Sequence, residues 1–429
     1  VIEEGQTPMN LPESWSRAMR ALIISTLVLA AFGPAWASEP EPTLPSSSLL
    51  PSGTPTRGPG WVLRSPTSVQ AFLGQFRFDT DWGPIEASGR ELALLRIGEM
   101  PALAQLDQVT RGKVFADAIR ASAVKSGQAV VRVVTDPVGT VKGIPAGLGR
   151  LVSSTARSVR RTARAIGDAA SRDSDTEERE KSDSDNSEKL TNFAKESVGL
   201  NKSRRALARQ IGVDPYTRNP LLQQKLESLA WAAVAGGISM DLALGALSGG
   251  ASSVLSISTK LDDLVWDLPP DDIQARVEQA LVKRGHLARD VRKFLRNGVY
   301  TPTLQLRLLA AFESLGRPRG EPAALALAAT VNGEVHARFL IAQIEMMAKH
   351  GGADPVAELL ALEQSFSSRT RSGATLVTLP VDYLAWTGPV DRTNRRGGRI
   401  VVSGLVSPLA LRELSARGWR VQSNAGAPG

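Results

Sequence analysis

The stretch EVHARFLIAQIEMMAKHGGADPVAELLALEQSFSSRTRSGATLVTLPVDYLAW, residues 334–386, decides the fold reading, because helical periodicity gives way to alternation within it. From about Glu334 to Lys349 the pattern is that of a long helix, and Gly351-Gly352 stops it. Pro355 to Ser367 reads as a further helix. Ala374 to Trp386 then alternates like a strand interrupted by one proline, and Arg399 to Val402 reads as a second strand. Ser407-Pro408 has the composition of a helix start, the helix runs through Ala416, Gly418 closes it, and Trp419 to Gln422 returns as a third strand. The expected class is therefore mainly α: a helical bundle-like assembly with a small C-terminal α/β element over 373–429.

Working back from this stretch, residues 201–372 read as a helical region. Asp271 to Val282, Leu287 to Leu295 and Thr303 to Leu315 are amphipathic helices, and Gly316 to Pro322 is a turn. In Leu229 to Ile257 only Asp241 is charged, and Gly236-Gly237 and Gly249-Gly250 punctuate an Ala-, Leu- and Ser-rich run. It is read as a buried helical hairpin rather than one that enters a membrane, because a lone carboxylate in lipid costs about 2.5 kcal/mol or more. Residues 167–200 form an acidic, disordered linker: Asp168 to Lys189 holds nine acidic and four basic residues and no bulky apolar side chain.

Residues 61–166 are expected to be mainly helical. Val69 to Phe78 fits a strand or a short helix, Ser88 and Glu91 have capping-box spacing, and Pro101 separates one helix from a second over Ala102 to Lys125. A helix from Arg150 to about Ile166 carries five arginines and no acid. Residues 38–60, crowded with Pro, Ser, Thr and Gly, are expected to be a disordered leader.

Residues 1–37 have the three parts of an export signal. Met19-Arg20 opens a short basic region, Ala21 to Phe32 is apolar, and Ala35-Trp36-Ala37 places small residues for cleavage before Ser38. The apolar run is shorter than the about 20 residues that span a bilayer, so removal is favoured over anchoring. The expected location is periplasmic or secreted. The formal charge of the 429-residue chain is +8, and loss of Glu3, Glu4 and Glu13 with Arg17 and Arg20 makes the remainder one unit more positive. There is no cysteine, which excludes disulfides, thiolate metal sites, a thiol nucleophile and a lipidated cysteine.

No catalytic, cofactor-binding or metal-binding residue is assigned. Gly143, Gly147 and Gly149 lack a following Gly-Lys-Ser/Thr, and Pro145 removes one N–H from any phosphate cradle. Among His286, His336 and His350 no pair has zinc spacing, and on one helix His336 and His350 would stand about 21 Å apart. Asp262, Asp263, Asp267, Asp271 and Asp272 do not follow an EF-hand pattern and are better read as turn and helix-start acids. Gly212 to Thr217 and Ser407 to Leu414 look like family motifs and carry no assigned activity.

The distinctive charge features are Arg150, Arg157, Arg160, Arg161 and Arg164, with Lys202, Arg204 and Arg205 beyond the linker. They are candidate contacts to an anionic surface, against the reading that they face the acidic linker or water. Aromatic residues are not interleaved with them, which disfavours nucleic acid. The function expected is that of a non-catalytic interaction or scaffold protein of the bacterial envelope, binding an envelope protein or an anionic lipid or glycan surface. A membrane-inserting protein using 229–257 and an envelope hydrolase with a His or acid pair gathered by the fold are the alternatives.

Overall fold

The computed structural model describes residues 38–111, 199–234, 259–391 and 397–424. They fall into two compact units that do not follow sequence order. One holds 38–100, 259–261 and 270 onward, and the other holds 101–111, 199–234 and 262–269.

The first unit opens with six strands: β1 (Thr43–Leu44), β2 (Arg57–Gly58), β3 (Trp61–Leu63), β4 (Thr67–Gln70), β5 (Leu73–Thr80) and β6 (Ile85–Ser88). They form an antiparallel sheet ordered β1-β4-β5-β3-β2, with β6 on the other side of β5. Alternation produces it: Phe76 and Phe78 point inward, Arg77 outward, and Arg77 faces Glu86 across the β5–β6 ladder at 3.9 Å. The segment expected to be a disordered leader is built into this sheet, since a 3-10 turn at Ser46–Leu49 buries Leu49 while Ser46 bonds Thr67 and the Arg64 carbonyl. Few apolar residues suffice there because a ladder and a core already exist to receive them.

Helix α1 (Arg90–Arg111) follows and contributes residues to both units. The expected break at Pro101 does not occur; the helix continues through it. In the second unit lie a helix over 199–210 (α2), α3 (Pro220–Val234) and the end of α4 (Thr259–Asp267). Leu207, Ile211, Leu222, Leu226, Leu229 and Val265 supply its apolar interior.

The first unit resumes with α5 (Pro270–Lys283), α6 (Ala288–Arg296), α7 (Pro302–Leu315), α8 (Glu321–Ala328) and α9 (Glu334–Gly351). A second sheet then forms from β7 (Val356–Ala361), β8 (Phe366–Thr370), β9 (Thr375–Leu379), β11 (Arg399–Val402) and β13 (Arg420–Gln422). Between these come β10 (Tyr383–Leu384), the short α10 (Gly388–Asp391), β12 (Leu405–Val406) and α11 (Pro408–Ala416). The order is β13-β11-β9-β8-β7; β7, β8 and β9 run antiparallel, while β9, β11 and β13 run parallel. Ser407 caps α11 by accepting from the Ala410 N–H, as its position before Pro408 implies. Helix α9 covers this sheet, stitched by the fully buried Gln343, whose amide accepts from Phe366 N and donates to the Thr378 carbonyl.

The class is therefore α/β and not mainly α, because three sheets, of six, five and two strands, organise the first unit. The helix expected over Pro355 to Ser367 is the β7–β8 hairpin instead. Helix-forming composition there is overridden by pairing with β9 on one side and by a parallel bridge from Arg319 to β7 on the other.

Candidate functional site

The sequence-predicted residues are distributed unevenly over the described regions. Ala35, Ala37, Arg150, Arg157, Arg160, Arg161 and Arg164 lie outside the described residues, as do the Gly143–Gly149 run, the acidic linker as far as residue 198 and residues 235–257 of the Ala/Gly-rich run. Ser38 is exposed beside Glu39, whose backbone and carboxylate bond Trp386 and whose carboxylate also takes the Ser407 hydroxyl. Lys202 is exposed on α2. Arg204 stacks over Tyr216 at 5.7 Å and bonds Asn201, and burial pulls its guanidinium below the ordinary value. Arg205 is buried, with Nε donating to the Trp266 carbonyl at 3.2 Å. Two of the three basic side chains proposed on α2 thus serve the interior of their own unit.

The Gly212–Thr217 motif has a structural account. Gly212 takes a positive φ of 71°, Asp214 accepts from Tyr216 N, and Asn219, just beyond the motif, accepts from Leu221 N at the start of α3. Asp263 and Asp267 pair with Arg209, and Asp271 and Asp272 stand in the first turn of α5, where the helix dipole favours acids.

The histidines are also placed by neighbours. His336 and His350 share α9, and His336 Nε2 lies 2.9 Å from the Gln364 carbonyl. His286 is buried with Nε2 2.8 Å from Glu321, whose carboxylate is gripped by Arg284 through both oxygens at 2.7 Å. A carboxylate-oriented histidine is half of an acid–base relay, but among the described residues no hydroxyl is hydrogen-bonded to either ring nitrogen. A second, half-buried cluster joins α1, α7 and α9 around the buried Arg307: Arg307 pairs with Glu91 and with Glu345 at 2.7 Å, and Arg338 reaches Glu91 at 3.2 Å and Glu334 at 2.9 Å. Burial alone would raise the Glu91 carboxyl, yet the two arginines hold it below its ordinary value.

An open basic surface lies on α6. Its sequence, ARDVRKFLR, buries Val291, Phe294 and Leu295 and exposes Arg289, Arg292, Lys293 and Arg296. These four cations fall at i, i+3, i+4 and i+7 and so share one face. They line a shallow groove of about 690 Å³ with Asn297 and the turn at Ala329–Asn332. The floor is fixed, because Asn297 Nδ2 donates to the Val331 carbonyl at 2.8 Å and its Oδ1 accepts from Val299 N at 3.0 Å. Phe294 meets Tyr300 edge-on at 4.7 Å, which holds the C-terminal end of the helix.

Asp290, 3.5 Å from Arg289, is the one acid on the helix, and among the described residues no carboxylate pairs with Arg292, Lys293 or Arg296. Lys293 and Arg296 suit the negative end of the helix dipole. Arg289 stands in the first turn, at the positive end, and Arg292 at the middle of the helix, so the dipole does not explain them. Leu287 to Leu295 is amphipathic by sequence, and the i, i+3, i+4, i+7 spacing of Arg289, Arg292, Lys293 and Arg296 is the signal in it that marks the basic face.

No known protein family matches the chain, and neither does any curated protein or solved structure. Among the described residues no helix is long and apolar enough to cross a membrane.

Proposed function

We propose that this chain is an exported, non-catalytic interaction protein of the bacterial cell envelope, periplasmic or secreted, that holds an anionic surface or partner. The observation that carries the reading is the row of four exposed cations on α6, held on a fixed floor and met by a single helix acid. A basic face with one ion pair of its own, Arg289 with Asp290, has little to release before it binds anionic groups, and its attraction is screened as salt rises. The basic residues Arg150, Arg157, Arg160, Arg161 and Arg164 of the sequence reading add to the same electrostatic character.

The test is binding of soluble polyphosphate to the full chain by calorimetry at low and high salt. Wild type should bind and weaken with salt, and Arg292→Glu with Lys293→Glu should lose at least about twentyfold. Undiminished binding by that double variant would remove α6 from the proposal. Cell fractionation with N-terminal sequencing tests the export half: a mature chain starting at Ser38 supports it, and an unprocessed cytosolic product refutes it.

A further inference from the structure

We infer that the partner of the α6 groove is an acidic polysaccharide, whose anionic groups meet the cations while its hydroxyls bond the opposite, uncharged wall; this rests on the anion-binding reading above. The two walls belong to one surface. Asn297, directly after the last cation of α6, donates from Nδ2 to the Ala329 carbonyl at 3.3 Å and to the Val331 carbonyl at 2.8 Å, which ties the 329–332 turn beside the end of the helix. Ala329 and Val331 are buried, whereas Thr330 and Asn332 are exposed and line the groove together with the cations.

That second wall is rich in acceptors. The N–H groups of Ala329, Thr330 and Val331 donate to the carbonyls of Leu325, Leu327 and Ala328 at 2.9, 2.9 and 3.3 Å, so the turn offers no row of free N–H groups of the kind that cradles phosphate. Thr330 Oγ1 gives its proton to the Leu327 carbonyl at 2.7 Å and keeps its lone pairs, and among the described residues the Asn332 amide bonds no other group. A bare polyanion such as polyphosphate carries acceptors alone and leaves those lone pairs without a donor. A polysaccharide supplies hydroxyl donors to Thr330 Oγ1 and Asn332 Oδ1, and its ring C–H faces can lie along the aliphatic stems of the Arg and Lys side chains. An acidic protein segment would need an apolar anchor, and no exposed aromatic or large aliphatic side chain lines the groove, which leaves nucleic-acid bases without a stacking partner as well.

Calorimetry with the full chain at low salt separates these possibilities. The probes are alginate, a soluble polyuronate, with polyphosphate and polyglutamate as polyanions that lack hydroxyls. Wild type should bind alginate and polyphosphate and release both as salt rises. Thr330→Val with Asn332→Ala should lose about tenfold in alginate affinity and stay within about twofold on the other polyanions, and Arg292→Glu with Lys293→Glu should lose alginate and polyphosphate alike. Both pairs lie at exposed positions, and circular dichroism checks that the variants fold. Undiminished alginate binding by the Thr330 and Asn332 variant, an equal loss on polyphosphate or polyglutamate, or polyphosphate binding without alginate binding overturns the polysaccharide inference while leaving anion binding intact. Failure of wild type to bind any of the probes overturns the anion-binding reading itself.

Discussion

Asp382 sits three residues beyond β9, and it caps α1 from the far end of the chain. Its carboxylate accepts from Gly74 N at 2.8 Å and from Arg90 N at 2.9 Å, while the Arg90 guanidinium reaches the Ser403 carbonyl. Burial pushes this carboxyl up to about 6, aided by Glu91 and opposed by the two N–H donors and the Arg90 charge. Because the folded state holds the proton more tightly than the unfolded chain, the contribution of this group is greatest below about pH 4 and is lost as pH rises through about 6, a span worth about 3 kcal/mol. Glu91 acts in the opposite sense, its lowered carboxyl stabilising at higher pH and failing as pH falls below its unfolded value. Asp382→Asn keeps an acceptor for both N–H groups, so denaturant titrations should show it folded and without the Asp382 share of the pH 4 to 6 dependence. Asp382→Ala should instead cost about 2–4 kcal/mol at neutral pH, since two buried donors are orphaned. Arg307→Leu should cost about 1–2 kcal/mol in the same measurement, because Glu91 and Glu345, each about one third exposed, would lose their shared cation while Glu91 keeps Arg338.

At the scale of elements, the β4–β5 hairpin turns on Ala71 and Phe72, both at positive φ, 49° and 66°. Two-residue hairpins of this hand ordinarily use Asn and Gly. Here the surroundings impose the conformation: Glu41 accepts from both turn amides, at 3.1 and 2.6 Å, and Phe72 is fully buried with its carbonyl taken by Asp382 N at 3.0 Å. Glu41→Ala should therefore destabilise by about 2 kcal/mol and speed amide exchange at Ala71 and Phe72 above its neighbours. Gly320, at φ +84°, starts α8 where the chain bridges to β7, and an added Cβ would overlap the Leu359 carbonyl oxygen. Gly320→Ala should lower the thermal midpoint by several degrees through both the strain and the lost bridge, at about 2–4 °C per kcal/mol for a unit of this size.

For the whole molecule, the first unit is closed by residues distant in sequence, with Glu39 bonding Trp386 and Ser407 and Glu41 bonding the β4–β5 turn. Deleting 38–60 should lower the thermal midpoint by more than about 8 °C, because the buried Leu49 and Leu50 are lost along with these carboxylate clamps; a flexible leader would be removed without effect. By itself the sequence determined those elements whose signals are local. These include the amphipathic helices α5, α6, α7 and α9, the strand at Arg399–Val402, the Ser407 cap and the Gly418 stop, all set by periodicity, capping chemistry and backbone freedom within a few residues. Tertiary structure alone decided that 38–60 is ordered, that Pro355 to Ser367 is a hairpin, that α1 is capped by Asp382 and not by Ser88, and that Arg204 and Arg205 turn inward while α6 presents its cations. These outcomes depend on partners in other elements, from Tyr216, 12 residues beyond Arg204, to Trp386, 347 residues beyond Glu39, and neither pairing in a sheet nor burial of a charge is encoded by spacing along one segment.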